Sequence, residues 1–166
     1  MEMMTAITAV LGLGIGATLL MDAWLVMLKW RGVPIMDFAL LGRWVGHFAS
    51  GTFVHDAIND ATPIRGERIL GWALHYGVGV AFAGLLLTVT GKHWLAEPTP
   101  GLALLVGVFT VAAPLMIVQP AMGAGLAGRR RGVPTTNILR SLANHVVFGV
   151  GLYLSALVLR ELGVHG

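Results

Sequence analysis

The chain has 166 residues, enough for one domain, with 56% hydrophobic and only 11% charged residues and a mean hydropathy of +0.79. An ordinary soluble domain is about one-quarter charged, so a soluble fold of this size is excluded and the bilayer is the solvent for most of the surface. The chain has no cysteine, which excludes disulfides, thiolate metal ligands and a cysteine nucleophile, and its net charge of +3 sits on arginines beside apolar runs, which points to anionic lipid headgroups rather than nucleic acid.

Met1-Glu2-Met3-Met4 lacks the positive start of a signal peptide, and the apolar run behind it is long enough to span. The first expected span is therefore Thr5 to Leu28, interrupted only by Asp22. The next segment, Asp37 to Asp60, is mostly apolar but carries Arg43, His47, His55 and Asp56. A second span is expected over Ile69 to Gly91, with His75 inside. A third runs from Gly101 to Met122, with Gln119 and Pro120 near its end. A fourth runs from Asn137 to Leu159, with Arg140, Asn144 and His145 in its first part. Pro98 and Pro100 separate the second span from the third, and Gly123 to Pro134 separates the third from the fourth.

Charge asymmetry orients these spans. With four of them, Lys29, Arg31, Arg43, Arg65, Arg68, Arg129, Arg130, Arg131 and Arg140 lie on one side, and only Lys92 and Arg160 on the other. A fifth span over 37–60 would split the basic residues six to four. The positive-inside rule favours the first arrangement. The expected fold is thus an all-α membrane protein, a single domain over 1–166. It is a four-transmembrane-helix bundle in a bacterial inner membrane, with both termini periplasmic. The segment 37–60 becomes one helix lying on, or re-entering, the cytoplasmic leaflet. Arg31-Gly32-Val33-Pro34 returns 100 residues later as Arg131-Gly132-Val133-Pro134, which suggests a duplicated helical hairpin.

Polar residues inside the spans carry the functional reading. A charge at bilayer depth costs about 2.5 kcal/mol or more, so such residues usually face the bundle interior and work there. Counting rise per residue, Asp22, His75 and His145 each lie roughly 10 Å below the same rim. Arg43, His47, Gly51, His55 and Asn59 recur every four residues, which on one helix lines one face and sets His47 and His55 about 12 Å apart. Asp22, His47, His55, His75 and His145 are the expected ligands of a divalent metal or haem, a donor set that suits zinc, iron or manganese. Arg43, Glu67, Gln119, Arg140 and Asn144 are expected as further buried polar residues. The bland alternative is that Asp22 pairs with Arg43 or Arg140 only to tie helices together. Asp56 with Asp60, and the turn from Arg65 to Arg68, read as solvated; Arg129-Arg130-Arg131 reads as a topology determinant that touches headgroups.

Several stretches taken together resemble the small bacterial membrane proteins of domain of unknown function 2938. They include Met21-Asp22-Ala23-Trp24, Gly42-Arg43-Trp44-Val45-Gly46-His47 and Gly51-Thr52-Phe53-Val54-His55. Gly66-Glu67, Gly71-Trp72-Ala73-Leu74-His75-Tyr76, Ala113-Pro114, Gln119-Pro120-Ala121-Met122-Gly123 and the run from His145 to Tyr153 complete the set. The resemblance implies a bacterial multi-span membrane protein and brings no activity with it. Three functions stay open at this level. The first is a metal or haem centre for membrane redox or hydrolytic chemistry. The second is a small proton-coupled transporter acting as a homodimer, with Asp22 titrating. The third is an accessory subunit of a larger membrane complex.

Overall fold

A segment in lipid has to satisfy its own backbone hydrogen bonds, and a helix does so within itself. The computed structural model describes residues 2–164, and among these every regular element is helical, with no strand. Among the described residues four helices are long and apolar enough to cross a membrane: Met3–Trp30, Glu67–Thr90, Pro100–Ala121 and Pro134–Glu161. They coincide with the four expected spans. The first lies in α1 (Glu2–Trp30), the second is α3 (Glu67–Thr90) and the fourth is α6 (Pro134–Glu161).

The third span is interrupted. α4 covers Pro100–Thr110, a π-helical turn covers Pro114–Val118, and α5 is a last turn at Gln119–Ala121. Pro114 has no N–H to donate, and its ring opposes the carbonyl of the preceding turn, so the regular ladder breaks there. Single π turns of this kind are frequent at functional sites.

Two compact units are distinguished. One comprises Met1–Pro34, Tyr76–Thr110 and Asn144–Gly166; the other comprises Ile35–His75 and Val111–Ala143.

In the first unit, helices meet at small residues. A Cβ on Gly14 would strike the backbone of Val80, one on Gly151 would strike Ala17, and one on Gly107 would strike Gly149 and the His145 carbonyl. Lipid provides no hydrophobic force between helices, so such close backbone contact is what holds them. Ala9, Leu13, Ala17, Leu86, Phe148 and Leu152 are buried in this core. Leu11, Ile15 and Leu19, each four residues from the next on α1, are 41–55% exposed and form the face left for lipid.

In the second unit, the helix expected over 37–60 is not continuous. α2 covers only Phe38–Gly46, and the Asp37 side chain caps it by accepting from the Ala39 N–H at 2.9 Å. A 3-10 turn at His47–Ser50 ends at Gly51 in the left-handed region, with φ 75°. Residues 52–57 are not helical, and a second 3-10 turn covers Ile58–Asp60. Gly46, Gly51 and the β-branched Thr52 and Val54 end the helix here. No single helical face therefore carries Arg43, His47, Gly51, His55 and Asn59. The irregular stretch is stitched instead to the end of the third span. The His55 N–H donates to Ala121 O at 2.8 Å and the Ile58 N–H to Met122 O at 3.1 Å, and Ile58 is buried with Leu41 and Met122. α2 lies hard against the start of α3, where a Cβ on Gly42 would strike Glu67 O and the Gly71 nitrogen.

Candidate functional site

The first unit places polar side chains against one another inside apolar helices. The Tyr76 hydroxyl of α3 donates to Asp22 Oδ2 of α1 at 2.8 Å. The Trp24 indole N–H donates to Asn144 Oδ1 of α6 at 2.9 Å. His145 is buried, with Nδ1 3.0 Å from Thr110 Oγ1, and the same hydroxyl donates to Gly107 O at 2.7 Å. A hydroxyl has one hydrogen and a carbonyl only accepts. Thr110 thus spends its proton on Gly107, and His145 Nδ1 carries the hydrogen that bridges to Thr110.

The second unit holds a histidine pair. His47 Nε2 lies 2.9 Å from Thr62 O, and His47 Nδ1 lies 2.7 Å from His55 Nε2. The carbonyl accepts only, so His47 Nε2 bears a hydrogen; in its neutral form, His47 receives the His55 Nε2–H at Nδ1. His55 Nδ1 is buried with no hydrogen-bond partner. The spacing of about 12 Å expected for a continuous helix is overturned by the turn at Gly51, which folds His55 back onto His47. His75 stacks on the Phe38 ring, centroids 4.2 Å apart, and meets Trp72 edge-on at 5.8 Å.

Charge in this unit is matched by a fork. Arg43 Nε and Nη2 donate to Glu67 Oε2 and Oε1, both at 2.9 Å, and Nη1 donates to Ala61 O at 3.1 Å. Glu67 Oε2 also accepts the Ile64 N–H at 3.1 Å. The hydrogen bond that Arg43 donates to Glu67 raises the Arg43 pKa above its ordinary value, so the guanidinium stays charged. Asn137 Nδ2 donates to Gln119 Oε1 at 2.9 Å and to Ala127 O at 3.0 Å.

The predicted residues make these local contacts. His47 meets His55, Asp22 is held by Tyr76, His145 by Thr110, and His75 by two aromatic rings. Among the described residues, no group of three or more His, Cys, Asp or Glu side chains is placed to hold a metal ion. Arg43, Glu67, Gln119 and Asn144 are half-buried, and each makes a side-chain hydrogen bond. Arg140 is not buried: it is exposed on α6, where a long side chain carries its charge outward. Tyr76, Thr110, Thr62 and Asn137 were not anticipated. For Tyr76 a signal existed, since a phenol inside an apolar helix needs a partner. Thr62 contributes only a backbone carbonyl, which any residue type offers.

A family model described as a protein of unknown function, DUF2938, matches residues 11–159. No curated protein and no solved structure matches the chain.

Proposed function

The chain belongs to that family, and from its own geometry we propose that it is a proton-coupled carrier of a small solute in a bacterial inner membrane, with Asp22 as the proton-binding group. The observation that carries this reading is the hydrogen bond from Tyr76 to Asp22 at 2.8 Å, made by two residues well inside spanning helices. An ionisable group at that depth is costly and usually marks a relay or substrate path. A tie between helices needs no carboxyl, as Trp24 and Asn144 illustrate by joining α1 to α6 with neutral groups. The interrupted third span supports the same reading, because carriers place their sites at broken helices. His145, fixed on Thr110, adds a second titratable side chain in the same unit. Four spans are few for a path, which favours a homo-oligomer, most simply a dimer. The distribution of basic residues favours periplasmic termini. The competing reading, a metal ion held by side chains alone, needs three or more ligands in one place, and the described residues provide no such group.

Infrared pH-difference spectroscopy on protein reconstituted in lipid tests the proton site. A carboxyl band is expected that disappears in Asp22→Asn and shifts in Tyr76→Phe. A spectrum unchanged by Asp22→Asn refutes the assignment.

A further inference from the structure

We propose that the loop Leu126–Arg131 is a built binding site for the phosphate of acidic phospholipid headgroups, fastened in shape by Asn137. This inference is independent of the carrier reading. An arginine run beside a span is ordinarily explained as a topology signal, for which charge alone suffices. The loop shows more than charge. Ala127 stands at φ 53°, ψ 27°, followed by Gly128 at φ 73°, ψ 20°. Among the described residues Ala127 alone has a positive φ without being glycine. Such backbone strain persists only where surrounding contacts enforce it, and it concentrates at binding sites.

The enforcing contacts are specific. Asn137 Nδ2 uses one hydrogen on Ala127 O at 3.0 Å and the other on Gln119 Oε1 at 2.9 Å. The Arg130 N–H donates to Ala124 O at 2.9 Å. A Cβ on Gly128 would press on both Asn137 and Gln119, so the fastening also requires glycine there. The loop so held presents Arg129, Arg130 and Arg131, all exposed and with no acidic partner among the described residues. Leu126, 46% exposed, places an apolar group on the same loop, as the headgroup–acyl boundary favours. Guanidinium forks match phosphate oxygens two at a time, which an ammonium does not. The occupant is therefore a lipid that offers phosphate without a compensating cation. One hydrogen bond to a charged group is worth about tenfold, so the second bond of a guanidinium fork, which an ammonium does not make, sets the scale of the preference.

The test is native mass spectrometry of the full chain in mild detergent, titrated with phosphatidylglycerol or with phosphatidylcholine of matched chains. The wild type is expected to favour phosphatidylglycerol by about tenfold or more. Replacing Arg129, Arg130 and Arg131 together by lysine keeps charge and topology, and is expected to remove most of that preference. Asn137→Ala keeps all three arginines, frees the loop, and is expected to lower the preference as well, while tryptophan-fluorescence melting verifies that it is folded. A wild-type chain without preference overturns the proposal. So does either variant that retains the wild-type preference, since charge alone then accounts for binding.

Discussion

Removing the Arg43 side chain should release the polar segment between Ile58 and Glu67 before it affects anything else. Arg43 and Glu67 are joined through two N–H···O contacts of 2.9 Å, with side chains 11% and 18% exposed. The same guanidinium also holds Ala61 O at 3.1 Å. A fully exposed pair contributes at most about 1 kcal/mol, and breaking a fully buried one costs about 3–5 kcal/mol. The low exposure, two-point geometry and carbonyl contact place Arg43→Ala at about 3 kcal/mol. Arg43→Lys keeps the charge but loses the fork, and should cost about 1–2 kcal/mol. At about 2–4 °C per kcal/mol for a chain of this size, Arg43→Ala should lower the melting temperature by about 6–12 °C. Intrinsic tryptophan fluorescence in mild detergent reads that shift. Limited trypsinolysis reads the local event, since Arg65 is exposed in the segment that Arg43 secures. A variant that melts with the wild type and is cut at Arg65 no faster would refute the reasoning, because the bridge would then be an ornament on a segment held by Ile58 alone.

Other outcomes follow from the close packing and the buried donors. Gly42→Ala drives a Cβ into the backbone of α3 and should cost about 1–3 kcal/mol in thermal melts. Gly77→Ala, where nothing lies within 4 Å, should be neutral or stabilise by up to about 1 kcal/mol. Trp24→Phe leaves Asn144 Oδ1 without its indole donor and should destabilise by about 1–2 kcal/mol in the same assay, whereas the double variant with Asn144→Leu should recover part of that loss.

The spans were legible because composition and length suffice for them: Ile69 to Gly91 matches α3 to within two residues at each end, and Asn137 to Leu159 lies inside α6. The segment 37–60 was not, because its four-residue spacing of Arg43, His47, Gly51, His55 and Asn59 imitates a helical face. What breaks it is the left-handed turn at Gly51, together with backbone bonds from His55 and Ile58 to Ala121 and Met122. Those partners lie more than sixty residues away, and backbone acceptors have no residue signature. Depth along each helix draws notice to Asp22 and His145 as polar groups within spans, but depth says nothing about rotation about the helix axis. It could not reveal that Tyr76 meets Asp22 or that Thr110 meets His145. Arg140 was misassigned for the same reason, since the sequence gives its height on α6 and not its side.

If Asp22 carries a proton through the membrane, proton flux through the reconstituted protein depends on its carboxyl. Protein is reconstituted into vesicles holding a trapped pH-sensitive dye, and a pH gradient is imposed. The wild type should pass protons above the protein-free background, and Asp22→Glu should keep a measurable part of that flux. Tyr76→Phe should slow it by about tenfold, the value of one hydrogen bond of about 1.5 kcal/mol to a charged group. Asp22→Asn should fall to background. Flux in Asp22→Asn equal to the wild type, in vesicles with matched protein content, would show that Asp22 is not the proton carrier.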